Sequence, residues 1–298
     1  MSTQNLSLIK LENWGAIQLS GTDSKTYLNS QVTAHISGLA DNTATFGAHC
    51  DAKGKSWSHF YFVPTGSTFQ LFQRKNTLAK SLAELSKYAV FSKTDITDSS
   101  DNLTWYALLG EQSAEQHRVI GIENTYQVSV SNTLTLIACE GDLPKELANL
   151  NQADEALFEK ALVEQGIVFM HDVHQSEYVP QMLNLQAING ISFTKGCYMG
   201  QETVARMRYL GKNKRAAFPF SGQANELKIN DTLEIQNGEN WRRAGTIVTL
   251  VKVEQTYYGI AVCAADIDIA QTLRAKQDEQ STFTLSPLPY SLEYKATK

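Results

Sequence analysis

Cysteine and proline are scarce in this sequence, with four and six among 298 residues. Cys50, Cys139, Cys197 and Cys263 lie far apart, with no C-x-x-C pair and no zinc-ligand spacing, which argues against a disulfide framework and against a bound metal. An uninterrupted apolar run of about 18 residues is also missing, as is a basic segment followed by an apolar core within Met1 to Lys10. The expectation is therefore a cytoplasmic protein with reduced thiols and no membrane partner. Strong charge is lacking too: the net charge of -5 gives no global reason to expect nucleic-acid binding. There is no internal repeat and no low-complexity tract.

What remains is an ordinary globular composition, 42% hydrophobic and 19% charged. The chain is longer than one hydrophobic core usually supports, so two or three subdomains are expected. A short strand at Ala16 to Leu19 is followed by Gly21-Thr22-Asp23, which supplies a turn and a cap for a helix reaching about Gln31. Strand patterns at Thr43 to His49 and Trp57 to Val63 flank Asp51-Ala52-Lys53-Gly54-Lys55, a hairpin loop with glycine where a positive φ is needed. A strand at Thr68 to Gln73 leads into a helix over Thr77 to Tyr88, whose Leu78, Leu82 and Leu85 share one face. Ala89 to Ile96 has strand character, and the polar run Thr97 to Asn102 marks a boundary.

The next unit has strand patterns at Trp105 to Leu109, Tyr126 to Val130 and Leu134 to Cys139, and a helix near Ser113 to Val119. A second helix runs from Asp154 to Gln165 and stops at Gly166. Ile167 to Tyr198 has little periodicity and is expected to be a long ordered connection, a type of segment that is often functional. Strand patterns at Ala216 to Phe220, Thr232 to Ile235, Gly245 to Val253, Tyr257 to Val262 and Ser281 to Leu285 suggest a small terminal β-barrel.

The stretch Lys195-Gly196-Cys197-Tyr198-Met199-Gly200-Gln201-Glu202 stands apart. It puts a thiol between glycines, two residues from a lysine and just before a helix, where a cation and free helix N-H groups favour thiolate. Gly200 suits the N-cap, Glu202 the first turn, and Glu202 with Arg206 forms an i, i+4 pair. Cys197 is either a functional thiol or a small buried hydrophobe. Residues 195 to 215 carry six basic side chains, Lys195, Arg206, Arg208, Lys212, Lys214 and Arg215, against Glu202 alone, a net of +5. This is either a solvated helix face or a site for an anion or RNA phosphate, with Tyr198 and Tyr209 available for stacking. His171, Asp172, His174 and Glu177 superficially resemble metal ligands but lack helical spacing or distant partners, so no metal site is assigned. Glu164 at a helix end is either an exposed glutamate or an acceptor for the parallel N-H groups of a planar heterocycle.

Lys195 to Glu202 matches the K-G-C-[FY]-x-G-Q-E signature, and the chain resembles the YgfZ family, which is related to the T-protein of the glycine cleavage system. The resemblance extends through Gly21 to Asp23, Gln31-Val32-Thr33, His49 to Lys55 and Lys87 to Lys93. It continues at Asn184 to Ala187, Gly190 to Phe193, Asn213 to Arg215, Asn240 to Arg243 and Pro287 to Leu292. It implies an α+β, GcvT-like three-domain ring with a ferredoxin-like portion and a C-terminal β-barrel. The expected division is an N-terminal α+β domain over 1–96 with a return segment at 167–211, a middle domain over 97–166, and a barrel over 212–298.

The resemblance also implies a folate-binding protein of tRNA modification, of the methylthiolation type, that helps maintain iron-sulfur enzymes. Tetrahydrofolate or a derivative would be the cofactor, and an iron-sulfur enzyme such as a tRNA methylthiotransferase a partner. Cys197 would be the functional thiol beside Lys195, Trp14 a folate-site aromatic and Glu164 the pterin acceptor. The second folate aromatic, a tryptophan in the family, is matched by Phe158, which lacks the indole N-H. The alternative is a tetrahydrofolate-dependent one-carbon transferase. The T-protein's aspartate pair is matched here by Trp57 and Ser58, so turnover of that kind lacks its principal carboxylate. Direct tRNA contact through residues 195 to 215 is a third reading, opposed by the acidic balance of the whole chain.

Overall fold

The computed structural model describes residues 6–112, 116–122, 124–211 and 213–294. Among the described residues, two antiparallel-rich sheets and a closed barrel share one core, and five α-helices are set among them: α1 (Ser24–Asn29), α2 (Lys75–Tyr88), α3 (Lys145–Ala148), α4 (Glu155–Glu164) and α5 (Gln201–Tyr209). Among the described residues, no helix is long and apolar enough to cross a membrane.

The first sheet has five strands in the spatial order Thr45–Cys50, Ser56–Thr65, Thr68–Arg74, Trp14–Ser20 and Asp95–Asp98, all antiparallel. Strand alternation gives it two faces. Ile17, Leu19, Phe60, Phe62 and Leu71 point toward α1 and α2, where Tyr27, Leu28, Leu78 and Leu85 complete a small core. Trp14, Ala16, Phe46, Ala48, Tyr61 and Phe72 point the other way, into the core shared by the whole molecule.

The second sheet has six strands in the order Asn151–Ala153, Ser7–Leu11, Thr104–Leu109, Leu134–Cys139, Thr125–Ser129 and Val119–Ile122. Ser7–Leu11 comes from the N-terminal end of the chain, ahead of the whole first sheet, and pairs in parallel with Asn151–Ala153. The first strand expected from the sequence is Ala16 to Leu19, so Ser7–Leu11 is an addition. Val119–Ile122 is a strand where a helix near Ser113 to Val119 is predicted, and residues 113–115 of that span lie outside the described residues. The predicted strand over Ala89 to Ile96 is a turn up to Thr94, and pairing begins only at Asp95. Asp23 explains this: its carboxylate accepts from Lys93 N (2.8 Å) and its own N-H donates to Lys93 O (3.2 Å), which ties the turn to the start of α1. Asp23 occupies the N-cap position of α1 but makes no side-chain cap bond there.

Helix α4 follows the predicted span, with Asp154 as an N-cap that accepts from Ala156 N at 2.7 Å, and the chain leaves it at Gly166, whose φ of 64° is the left-handed geometry glycine tolerates. It lies against the barrel strands and against Ser7–Leu11 of the second sheet, and its Phe158 and Glu159 meet Trp14 and Arg74 of the first, so it joins all three parts. The barrel closes in the order Arg215–Gln223, Thr256–Ala264, Asn240–Val253, Thr232–Asn237, Thr272–Ala275 and Asp278–Leu285 around Phe220, Leu233, Ile247, Leu273 and Phe283. Thr272–Ala275 is a strand the sequence pattern does not reveal.

The connection after α4 is irregular, with two short 3-10 turns, as its composition predicts. Side-chain bonds to backbone tie it to the elements it crosses. Asn184, at φ 62°, donates to Ala217 O (2.6 Å) and accepts from Ala217 N (3.2 Å), which fastens the connection to the barrel. His59 Nδ1 donates to Val168 O (2.7 Å) and its Nε2 accepts from Ser56 (3.2 Å), which fastens the connection to the first sheet. Burial, opposed by the Val168 bond, pulls His59 down to about 4, so it serves as a neutral strut near neutral pH.

The middle of the shared core is aromatic. Trp14 makes edge contacts with Phe158 (5.7 Å) and Phe169 (4.6 Å) and a tilted one with Trp105 (6.3 Å), and it is 1% exposed. The Arg74 guanidinium lies 5.3 Å from its ring centroid and forms a bidentate pair with Glu159 of α4. Truncation at this position opens a cavity facing both sheets and α4. Trp14→Ala is expected to lower the unfolding free energy by about 3–5 kcal/mol in urea denaturation. A loss below about 1 kcal/mol would show that the ring does not hold these elements together.

Candidate functional site

The loop carrying Cys197 is built on two glycines whose backbones touch. Gly54, at the tip of the 51–55 hairpin loop, has φ 77°, and Gly200 has φ 81° at the N-cap of α5. A Cβ on Gly200 would stand 2.5 Å from Asp51 O and 2.7 Å from Gly54 Cα, and one on Gly54 would stand 2.9 Å from Gly200 O. Only glycine meets both the conformation and the spacing. The hairpin loop is itself rigid, because Asp51 Oδ1 accepts from Lys53 N and Lys55 N, each at 2.9 Å.

Lys195 does not stand over the thiol as a free cation, which corrects the sequence expectation. Its side chain turns inward to 7% exposure, and Nζ donates to Val32 O (2.8 Å) and Ala34 O (2.7 Å). The ring of Tyr198 lies 5.0 Å from the same Nζ. Burial lowers the amine to about 7, while the two carbonyls and the ring face favour the ammonium. Met199 N donates to Ser30 O (3.1 Å), so residues on both sides of Cys197 are fixed to the segment after α1.

Cys197 is exposed between these anchors, whereas Cys50, Cys139 and Cys263 are buried. Burial pushes Cys50 and Cys263 up to about 12 and Cys139 upward, so these three thiols are poor thiolate sources. Tyr198, which the sequence offers for stacking, is buried at 7% exposure, while Tyr209 is open. Of the basic run, Arg206 pairs with Glu202 (3.5 Å), Lys214 and Arg215 are exposed, and Lys212 lies outside the described residues.

The residues expected at folate are divided. Trp14 and Phe158 are brought together, but inside the core, each 1% exposed, so neither ring offers a free face as packed. The indole N-H of Trp14 is buried without a partner, as is that of Trp105. Glu164 sits at the outer end of α4 with its side chain 59% exposed, and its Oε1 lies 3.4 Å from Lys160 Nζ. Its carboxylate suits the paired N-H edge of a pterin, whereas the two rings do not suit direct stacking. Trp57 and Ser58 supply no carboxylate either: Trp57 packs against His49 and Lys80, and Ser58 bonds to Ser81 (3.1 Å). Among the described residues, no three His, Cys, Asp or Glu side chains are placed to hold a metal, and His174 is buried beside Glu177 (3.6 Å).

Two features escape sequence reasoning. One is the Arg208 guanidinium, which lies over Phe193 (4.2 Å), Tyr209 (5.2 Å) and Tyr294 (5.4 Å), three rings from the connection, α5 and the C-terminal segment. The other is the hydrogen-bonded line from Val168 O through His59 to Ser56, whose Oγ is 4.0 Å from Cys50 Sγ. Neither has a complete local signal, since Phe193, Tyr294 and Val168 come from segments distant in sequence.

The comparisons with known proteins agree along the chain. Residues 213–279 match the family of the YgfZ β-barrel domain. The tRNA-modifying protein YgfZ of Aliivibrio fischeri is 39% identical over 303 residues, covering 97% of this chain and 93% of its own. The protein of that name from Photobacterium profundum is 39% identical over 308 residues, with the same coverage. Among solved structures, the glycine cleavage system aminomethyltransferase T from Bartonella henselae superposes with a TM-score of 0.72 over 96% of this chain and 86% of its own, at 11% identity. That likeness establishes a shared α+β fold ending in a closed β-barrel.

The buried amine yields a pH test. An unfolded lysine titrates near 10.4, so between about pH 7 and 10 the unfolded chain binds more protons at Lys195 than the folded one. Stability contributed by this group therefore rises with pH across that window, by up to about 1.4 kcal/mol per pH unit. Lys195→Met should show a flatter rise than wild type in denaturation measured from about pH 7 to 10. Equal slopes would place the folded pKa near its ordinary value.

Proposed function

The chain belongs to the YgfZ family, and from that premise we propose that it acts in tRNA modification as a folate-binding accessory protein, without conventional turnover of its own. The observation that carries this reading is Cys197: it is exposed while the three other thiols are buried, and it sits on a loop locked by Gly54 against Gly200 and by Lys195 in the first domain. A thiol presented on a rigid arm suits reaction with a group held by another protein. The partner in this reading is an iron-sulfur enzyme such as a tRNA methylthiotransferase, working in the cytoplasm. Cys197 is the reacting group, and Lys195 is a positioning residue that fixes its loop.

Tetrahydrofolate or a derivative is the proposed ligand, and the open carboxylate of Glu164 is its acceptor. Bound there, folate would supply a one-carbon or reducing group. Trp14 and Phe158 enter as the packed wall behind α4, not as stacking faces. The transferase alternative is disfavoured by the absence of a carboxylate at Trp57 and Ser58, which are occupied with packing and a buried hydroxyl bond.

The test is complementation of a strain deleted for its own YgfZ gene. Cys197→Ser should leave methylthiolated tRNA, measured by mass spectrometry, and iron-sulfur enzyme activity at the level of the deletion. Its tetrahydrofolate affinity should remain that of wild type. Glu164→Gln should weaken tetrahydrofolate binding in calorimetry by roughly tenfold, as expected for a lost charged hydrogen bond. Normal methylthiolation in the deletion strain would sink the assignment, and equal loss of folate binding in Cys197→Ser would make the thiol structural.

A further inference from the structure

Next to the thiol loop lies a cleft of about 430 Å³, lined by His35, Gln186, Phe193, Thr194, Arg208 and Tyr294 among others. Its volume falls within the range of small-ligand sites, and its walls come from segments that meet only in the folded chain. Thr194 directly precedes Lys195, so the cleft opens at the base of the arm that presents Cys197.

Arg208 is the distinctive group. Its guanidinium is spread against the faces of Phe193, Tyr209 and Tyr294, and among the described residues no carboxylate pairs with it. Stacking holds the plane of the guanidinium while leaving its edge N-H groups to donate, the geometry that takes phosphate in a bidentate way. Gln186 also lines the cleft, and its Oε1 is buried without a donor. Such an acceptor is costly unless a ligand N-H reaches it. Beside Arg208, Tyr209 is exposed but does not line the cleft, and Lys214 and Arg215 are exposed a few residues on. A donor for phosphate and an acceptor for a heterocycle N-H in one cleft together describe a nucleotide.

We propose that this cleft takes one unstacked nucleotide of single-stranded RNA, with its phosphate on Arg208 and an N-H edge of its base on Gln186, an inference that rests on the tRNA-modification reading. The base would then lie beside the exposed thiol arm, so RNA and the group acted on by Cys197 would meet on one surface. The acidic net charge of the chain does not oppose this, because the recognition needs one placed phosphate and not a broad cationic field.

The experiment is fluorescence anisotropy of the full chain with a labelled single-stranded RNA of about ten nucleotides, over a series of salt concentrations. Arg208→Ala and Gln186→Leu should each weaken binding roughly tenfold, and Arg208→Ala should reduce the salt slope by about one. Arg208→Lys, which keeps the charge and loses the flat fork, should also weaken binding; with Gln186→Leu it decides the matter if Arg208→Ala melts early by circular dichroism. Wild-type affinity in Gln186→Leu and Arg208→Lys would overturn the proposal. So would competitive displacement of the RNA by tetrahydrofolate, which would assign the cleft to folate. If wild type binds no RNA while Cys197→Ser still abolishes methylthiolation, the cleft inference falls and the functional reading stands. A silent Cys197→Ser alongside Arg208-dependent RNA binding would mean the reverse.

Discussion

The contact between the backbones of Gly54 and Gly200 is the constraint on which the site depends. It fixes the start of α5 against a hairpin loop of the first sheet at a separation no side chain allows. Helix direction, the placement of Arg208 further along α5, and the exit of the chain toward the barrel follow from that fixed starting point. Lys195 adds the second anchor, so the thiol loop is held at both ends by the same domain. A loop held this way loses its conformational freedom during folding and not on meeting a partner.

A similar logic explains the core. Trp14, Phe158, Phe169 and Trp105 come from a strand of the first sheet, α4, the connection and the second sheet, and they meet at one point. Aromatic rings are suited to such a junction because one side chain reaches several neighbours. Two of the aromatics expected at folate are therefore put to a structural use. Glu164, at the far end of the same helix from Phe158, is left to face solvent, and only the carboxylate end of the anticipated set is open to a ligand.

The sequence discloses those features whose causes are local. Gly54 declares a left-handed turn and Gly200 a helix N-cap, Asp154 and Gly166 bracket α4, and the strand patterns after 215 mark most of the barrel. Cys197 is legible because its neighbours are poor for packing. What stays hidden depends on distant partners. Ser7–Leu11 and Thr272–Ala275 are too short to show a period, and each becomes a strand only because a neighbour supplies the ladder. Val90 and Phe91 look like strand residues yet lie exposed in a turn, because Asp23 claims the backbone at Lys93. Lys195 is read as a surface cation since lysine is seldom buried, and nothing nearby in sequence announces the carbonyls of Val32 and Ala34. Two of the aromatic faces under Arg208 are equally invisible, coming from residues 193 and 294.

The pairing of Ser7–Leu11 with Thr104–Leu109 and Asn151–Ala153 has a consequence for biosynthesis. Ser7–Leu11 leaves the ribosome ahead of every other described strand, yet it finds its partners only after the entire five-stranded sheet and more of the chain have been translated. The earlier sheet can assemble first, using contacts close in sequence, while the leading strand waits unpaired. The second sheet, whose edge is Asn151–Ala153, cannot be completed until translation has passed residue 153.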